Sequence, residues 1–359
     1  MTIRWGIIGC GDVCEGKSGP AFQKATGSSL VAVMRRDRAR AADFARRHGV
    51  PRFYDDADAL VADPEVDAVY IATPPGSHLE HALRACRAGK PAYVEKPMAR
   101  NHAECLSMSA AFELAKIPLF VAYYRRALPR FGAARDAIAS GRIGTVTGVT
   151  YRYAAPHHRG LDPSALPWRL RAEEAGGGLL LDLGSHTLDI LDFLLGPLGR
   201  VAGSAANLAS ACDVEDTVAM SFEVRGVPGT AHWSFASDAR DDRIDILGTE
   251  GRVSLATFGD DPVEIALATG TDRVDVQRLA LPNPAHIQQP LIQTVVDALE
   301  GRGVCPSTGA SAARTSAVMD RVLESFYGTR AAGFWRTKEA WPGRRRAPTA
   351  IPSVSSLSR

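Results

Sequence analysis

The chain opens with an apolar run that ends in glycines. Ile3, Trp5, Ile7 and Ile8 read as a short buried strand, and Gly9-Cys10-Gly11-Asp12-Val13-Cys14 comes next, where a helix should begin. In such a turn the first glycine allows the tight bend and the second lets backbone approach a pyrophosphate. The following helix then points its free N–H groups and positive dipole end at the phosphates. Gly9, Gly11, Asp12 and Val13 are therefore candidate dinucleotide contacts, with Cys14 at the third glycine position. Alone, the motif is common in α/β proteins. Its force comes from the residues downstream, where helical and apolar extended stretches alternate as far as residue 122. Strands are expected over 30–34, 66–72, 91–94 and 117–122, and helices over 21–24, 37–47, 55–62, 77–88 and 102–115. This repetition predicts an α/β fold with a doubly wound parallel sheet covered on both faces.

Beyond about residue 123 the pattern changes. Helices are expected over 131–140, 178–195, 284–299 and 310–327. Most of the region between reads as strands, over 145–153, 200–208, 217–224, 229–236, 242–247, 252–257, 263–268 and 274–279. Arg225-Gly226 and Thr249-Glu250-Gly251 read as hairpin turns. A second, α+β domain with a mostly antiparallel sheet is expected over 123–330. From about Thr337 to Arg359 the chain is Pro-, Ser- and Arg-rich with little apolar periodicity, and 331–359 is expected to be a mobile tail.

Composition narrows the function classes. The 359 residues carry a net charge of +2, with 45% apolar and 23% charged residues. Nothing in that balance argues for nucleic acid or an anionic membrane as partner. No apolar stretch reaches membrane-spanning length, and no charged-then-apolar leader precedes the first strand, so a cytoplasmic protein is expected. The six cysteines lack a C-x-x-C pair, which favours reduced thiols over a metal site or disulfides.

Three further constellations carry chemistry. Arg35 and Arg36 close the second strand, where a carboxylate would bond the ribose 2′-hydroxyl of NAD and a guanidinium accommodates the 2′-phosphate of NADP. The pair favours NADP over NAD, with Asp37 read as the cap of the next helix. Thr73-Pro74-Pro75-Gly76-Ser77-His78 and Glu95-Lys96-Pro97-Met98 each come after a strand, on the rim where parallel sheets bind ligands. The Lys96 ammonium can stabilise a developing alkoxide, and Glu95 can orient or neutralise it. Asp182 and His186 lie four apart on the expected 178–195 helix and share a face with Leu179 and Ile190. Two readings stand level there: a carboxylate–imidazole hydrogen bond that solves a burial problem, or a general base whose ordinary pKa of about 6.5 suits taking a proton from an alcohol.

Together these stretches resemble the glucose–fructose oxidoreductase / inositol dehydrogenase (Gfo/Idh/MocA) family of nicotinamide-dependent oxidoreductases. The likeness runs from Ile3 to about Tyr327 and is carried by GIIGCGDV at 6–13, VDAVYIATPPGSH at 66–78, EKPM at 95–98, VAYYRRALP at 121–129 and GGGLLLDLGSHTLDILDFLLG at 176–196. It implies a Rossmann domain over 1–122 and a substrate domain whose large open sheet forms a homodimer or homotetramer. It implies a catalytic Lys96, an acid/base His186, and an Asp182 that binds or orients substrate and these two side chains. Glu95 and Pro97 would shape the nicotinamide pocket, with Thr73, Pro74 and His78 lining the same cleft. Arg125, Trp168 and Arg169 would line the substrate side, while His157 and His158 read as solvated loop residues. The implied reaction moves hydride between NADP (or NAD) and a sugar, polyol or related cyclic alcohol. A glycosidase that uses the cofactor transiently and a non-catalytic cofactor-sensing regulator are the alternatives; retention of both Lys96 and His186 argues against the regulator. Cys14 and the segment 15–20 depart from the family pattern.

Overall fold

Residues 2–270 and 273–345 are described in a computed structural model of the chain. Six strands, β1 (Ile3–Ile8), β2 (Ser28–Met34), β3 (Arg52–Tyr54), β4 (Ala68–Ile71), β5 (Ala92–Val94) and β6 (Leu119–Val121), form one sheet in the order β3-β2-β1-β4-β5-β6. Every neighbouring pair is parallel. Alternation along the strands builds two cores. Trp5, Ile7, Tyr70 and Tyr93 face one layer, while Ile8, Val69, Ile71 and Val94 face the other. Helices α1 (Asp12–Gly16), α2 (Gly19–Lys24), α3 (Arg38–His48), α4 (Ala57–Ala62), α5 (His78–Arg87) and α6 (His102–Ala115) complete the unit. The strand order reverses direction at β1 and β4, so the carboxyl ends of β1, β4 and β5 open on a common crevice.

Local chemistry explains the boundaries. Asp37 accepts a hydrogen bond from the Arg40 amide and starts α3, and Gly49, at φ +64°, ends it. The first helix is broken: α1 stops at Gly16 and α2 begins at Gly19 with Pro20 behind it. The chain folds back so tightly that a Cβ on Gly19 would lie 2.2 Å from the Cys14 carbonyl oxygen. The edge strand β3 is half-exposed and begins on Arg52, so it has no apolar run from which it could be read.

The second sheet has eight strands, β7 (Val146–Pro156), β8 (Gly199–Ala206), β9 (Thr217–Val224), β10 (Val227–Ser234), β11 (Ala236–Gly248), β12 (Gly251–Leu255), β13 (Val263–Ala268) and β14 (Val274–Leu279). Its order is β14-β13-β12-β11-β7-β10-β9-β8, antiparallel except for the β7–β10 pair. One face is buried through residues such as Val218, Met220, Phe222, Ala231 and Trp233. The other exposes Ala219, Ser221, Thr230 and His232. Helices α7 (Pro129–Ala139), α8 (Ala172–Ala175), α9 (Ser185–Leu195), α10 (Gln289–Leu299) and α11 (Gly309–Tyr327) accompany it. The last two also return to the first layer: α11 packs on α6 as well as β8, and the Gln293 side chain accepts from the Thr26 amide at 2.7 Å. No helix among the described residues is long and apolar enough to cross a membrane.

Two expectations are corrected. The stretch 178–195 is not one α-helix: Leu180–Gly184 form a π-turn, and α9 begins at Ser185. A Cβ on Gly178 would meet the Glu215 carbonyl oxygen at 2.4 Å, so the glycine-rich lead is pressed against its neighbour before the helix can start. The expected tail is not loose where it begins either. Phe334, Trp335 and Trp341 are buried, with the Trp341 ring 4.6 Å from that of Tyr327 and its Nε1 donating to the Phe334 carbonyl. Aromatic burial outweighs the unpromising composition there; residues 346–359 of that segment lie outside the described residues.

Candidate active site

The crevice at the strand ends starts with backbone. Gly9 has φ +89°, and a Cβ there would sit 2.7 Å from Thr73 Cγ2 and 3.0 Å from the Thr73 amide nitrogen, so only glycine lets β1 turn this close to the end of β4. Gly11 is different: a Cβ there would meet only the Gly9 carbonyl oxygen, at 3.9 Å, which leaves an open cradle beside it. Asp12 and Val13 stand in the first turn of α1, whose cap Gly11 supplies no side chain. Cys14 is fully buried with Sγ 3.9 Å from the Gly9 carbonyl, so the third glycine position is filled by a small inward-packed side chain. An open cradle, uncapped amides and a strand-end glycine fit a dinucleotide pyrophosphate.

Arg35 and Arg36 lie at the end of β2. Arg35 is half-buried with Nη1 3.5 Å from the Cys10 carbonyl, on the glycine turn itself, and Arg36 is exposed. The Asp37 carboxylate is occupied as the α3 cap.

Thr73 and Pro74 are half-buried on the opposite rim. Thr73 Oγ1 accepts from Ser77 Oγ at 2.8 Å. His78, expected among the cofactor contacts, is fully buried behind that rim. Its Nε2 lies 2.6 Å from the Thr73 carbonyl and its Nδ1 3.1 Å from the Pro97 carbonyl, so it ties the loop after β4 to the loop after β5. Glu95 is likewise held from below: it accepts from Tyr70 Oη and Gln288 Nε2, each at 2.6 Å, and from the Lys96 amide. Neither Tyr70 nor Gln288 carried a sequence signal toward this site.

Lys96 reaches across to the second unit instead. Its Nζ donates to Asp182 Oδ1 at 2.5 Å and to the Asp182 carbonyl at 2.8 Å. Arg169 Nε takes Asp182 Oδ2 at 2.9 Å, and its guanidinium stacks 4.6 Å from the Trp168 ring. Burial alone would raise the Asp182 pKa, but Lys96 and Arg169 outweigh it and hold the carboxyl below the usual range.

The π-turn separates Asp182 from His186, and with the carboxylate spent on two cations there is no Asp182–His186 hydrogen bond. His186 is 4% exposed in a box of rings, with Tyr124 at 5.3 Å, Phe258 at 6.0 Å and Tyr123 at 6.1 Å, and its Nδ1 has no partner among the described residues. Burial, then the charges of Arg125, Lys96 and Lys17, push the imidazole well below its ordinary pKa. It is a neutral proton acceptor at pH 7. Arg125 shares the box: its guanidinium lies 4.9 Å from Tyr124 and 4.7 Å from Phe258, its Nε donates to the Thr257 carbonyl, and its buried Nη1 has no partner among the described residues. The adjacent Arg126 turns inward to Asp189 and Asp192 and anchors α9 beneath His186.

His157 is not an isolated loop residue. Its Nε2 lies 2.8 Å from Tyr153 Oη, and it feels the Asp182 charge from the rim. No cluster of three or more metal-ligating side chains occurs among the described residues.

Comparison with known proteins fits this arrangement. Residues 3–123 match the model of an oxidoreductase family with an NAD-binding Rossmann fold, and residues 131–254 match the GFO/IDH/MocA C-terminal domain. An oxidoreductase of Formosa agariphila is 34% identical over 89% of this chain and 97% of its own length. The 1,5-anhydro-D-fructose reductase of Ensifer adhaerens is 32% identical over 85% of this chain and 91% of its own. The structure of levoglucosan dehydrogenase with NADH and levoglucosan superposes with a TM-score of 0.81 at 25% identity, over 90% of this chain and 97% of that one. With a glycine turn at β1, a lysine after β5 and an Asp–His pair brought to the same crevice, the chain belongs to the Gfo/Idh/MocA family of nicotinamide-dependent oxidoreductases.

Proposed function

We propose that this enzyme transfers hydride between NADP and a carbinol carbon of a sugar, polyol or related cyclic alcohol. The observation that carries the reading is the convergence of Lys96, Asp182 and His186: an ammonium fixed 2.5 Å from a carboxylate, beside a neutral imidazole whose Nδ1 has no partner among the described residues. The sugar-related substrates in the names of the Ensifer reductase and of levoglucosan dehydrogenase support the substrate class.

In the oxidising direction the substrate loses a proton from oxygen and a hydride from carbon, leaving a carbonyl. His186 takes the proton, and Lys96 stabilises the negative charge that develops on the oxygen. Asp182 holds Lys96 in place and hydrogen-bonds substrate hydroxyls, while Arg125, Trp168 and Arg169 close the substrate side. Gly9, Gly11, Asp12 and Val13 receive the pyrophosphate; Arg35 and Arg36 take the 2′-phosphate; Thr73, Pro74, Glu95 and Pro97 frame the nicotinamide, with His78 bracing that frame from behind. When bound, the nicotinamide supplies the hydride acceptor or donor.

The exposed face of the second sheet, with Ser221, Thr230 and His232, goes with this reading as a homodimer or homotetramer surface. Six free cysteines go with a reducing cytoplasm. The test is a panel of sugars and polyols with NAD and NADP in parallel, monitored by absorbance of the reduced nicotinamide. NADP-dependent turnover of a panel member is expected. No turnover with either cofactor overturns the proposal, and preference for NAD overturns the role of Arg35 and Arg36.

A further inference from the structure

The crevice holds more positive charge than its own carboxylates balance. Asp182 is the acid at its centre, and both oxygens are engaged, Oδ1 by Lys96 and Oδ2 by Arg169. The two nearby acids keep their charge but are hydrogen-bonded by neutral donors, so neither bonds Arg125 or Lys17. Glu95 is saturated by Tyr70, Gln288 and the Lys96 amide. Asp242 accepts from Tyr151 Oη and from the backbone amides of Thr257, Phe258 and Gly259. Two cations remain. Arg125 is 6% exposed, donates through Nε to a carbonyl, and leaves Nη1 buried with no partner among the described residues, beside the box that holds His186. Lys17 stands exposed at the break between α1 and α2, next to Gly16, whose carbonyl is pinned 2.9 Å from His286 Nδ1. Neither makes an ion pair among the described residues, and both charges act on His186. At the rim, the exposed Arg240 adds a further positive charge that acts on His157.

A buried guanidinium with a free N–H is costly until an acceptor completes it. A sugar hydroxyl can accept one hydrogen bond, but it leaves the charge unbalanced. A carboxylate accepts the bond, balances the charge and is small enough for one free Nη1 among aromatic rings. A phosphate brings three terminal oxygens into a box of aromatic rings where one buried donor, Arg125 Nη1, is free to meet them.

We propose that the substrate carries a carboxylate, as in aldonic and uronic acids, and that Arg125 and Lys17 hold this group while Lys96 and His186 face the reacting carbinol. This rests on the oxidoreductase reading and names its substrate class.

The test uses the full chain loaded with NADP and matched pairs: D-glucose with D-glucuronate and D-gluconate, D-galactose with D-galacturonate, and glucose phosphate as a separate arm. The expected result is a kcat/KM at least about tenfold higher for the acid than for its neutral partner, the worth of one charge-assisted hydrogen bond. Lys17→Gln, a surface change, and Arg125→Gln should each lower the acid-to-neutral ratio about fivefold or more. Calorimetric titration of the same acids into NADP-loaded Lys96→Met should show binding that weakens with added salt and is lost on adding Arg125→Gln. Neutral sugars turned over as well as their acids, a preference for the phosphate, or ratios unmoved by both substitutions would overturn the carboxylate while leaving the oxidoreductase reading intact. Carboxylate binding without turnover of any panel member would keep the anion site and overturn the redox reading. Neither binding nor turnover would overturn both.

Discussion

Replacing Lys96 with methionine removes one ammonium while keeping most of the stem's volume, and its cost can be worked from the contacts. Nζ makes two hydrogen bonds, both to Asp182. Removing one partner of a fully buried ion pair costs about 3–5 kcal/mol. Both side chains here are 13% exposed, and Arg169 remains on Oδ2, so the orphaned carboxylate keeps a counterion. The expected loss of stability is therefore about half that range, roughly 2 kcal/mol. Turnover suffers more. Losing a preorganised group aimed at a developing oxyanion costs roughly a hundredfold to a thousandfold in kcat, about 2.7–4 kcal/mol. The glycine turn and the β2 arginines are untouched, so the cofactor dissociation constant should stay within about threefold, less than one charge-assisted bond is worth. Steady-state absorbance of reduced nicotinamide, fluorescence titration of the cofactor and a denaturant melt separate the three effects. A folded Lys96→Met protein with turnover within about tenfold of the parent would remove the ammonium from the reaction, since a lost oxyanion donor costs more than that.

Other parts of the structure give three further outcomes. Arg36→Gln should raise the KM for NADP by roughly tenfold to a hundredfold and leave that for NAD nearly unchanged, because only one cofactor carries the phosphate; an equal loss for both would refute the assignment. For His186 the folded-state pKa lies below the unfolded value, so its contribution to stability is complete above about pH 6.5 and is lost as pH falls through the folded value. The pH profile of kcat/KM for alcohol oxidation should accordingly show no His186-dependent break near pH 6.5 but one well below it; a break at the ordinary histidine position that vanishes in His186→Asn would contradict this. Trp341→Ala should cost about 3–5 kcal/mol in a urea melt, as expected for a 1%-exposed aromatic, whereas a loss under about 1 kcal/mol would mean that the segment around it is loosely held.

Much of the first sheet was legible because its strands are buried on both faces and end at glycines, prolines or caps. His102–Ala115 and Val263–Ala268 run between the residues that the pattern indicates. The misses have physical causes. Strand β3 is half-exposed and lacks the apolar run that marks the equally short β5 and β6, and the π-turn at Leu180–Gly184 looks helical in sequence. Phe334, Trp335 and Trp341 are three aromatics in a polar, proline-bearing segment, and only the surface they cover reveals why they are there. At the site, Lys96, Asp182 and His186 could be singled out by motif, and the family resemblance implied that Asp182 orients the other two, but not that Lys96 takes its carboxylate and leaves His186 without it. Lys96 and Asp182 are 86 residues apart, and sequence placed Glu95, not Asp182, as the neighbour of the ammonium. His78 looked like a cleft residue because it comes after a strand end, yet its ring is consumed by backbone carbonyls behind the cleft.

The central claim, that Lys96, Asp182 and His186 surround a hydride-transfer site, is tested most directly by tracing the transferred atom. Reduced cofactor deuterated at the transferring position is incubated in one turnover with the carbonyl form of a substrate found in the panel, and the product is read by mass spectrometry and NMR. One deuterium is expected on the new carbinol carbon with the parent enzyme, and none over the same interval with a Lys96→Met protein that still binds cofactor. Deuterium retained on the cofactor, or an aglycone released with no net redox change, would contradict it.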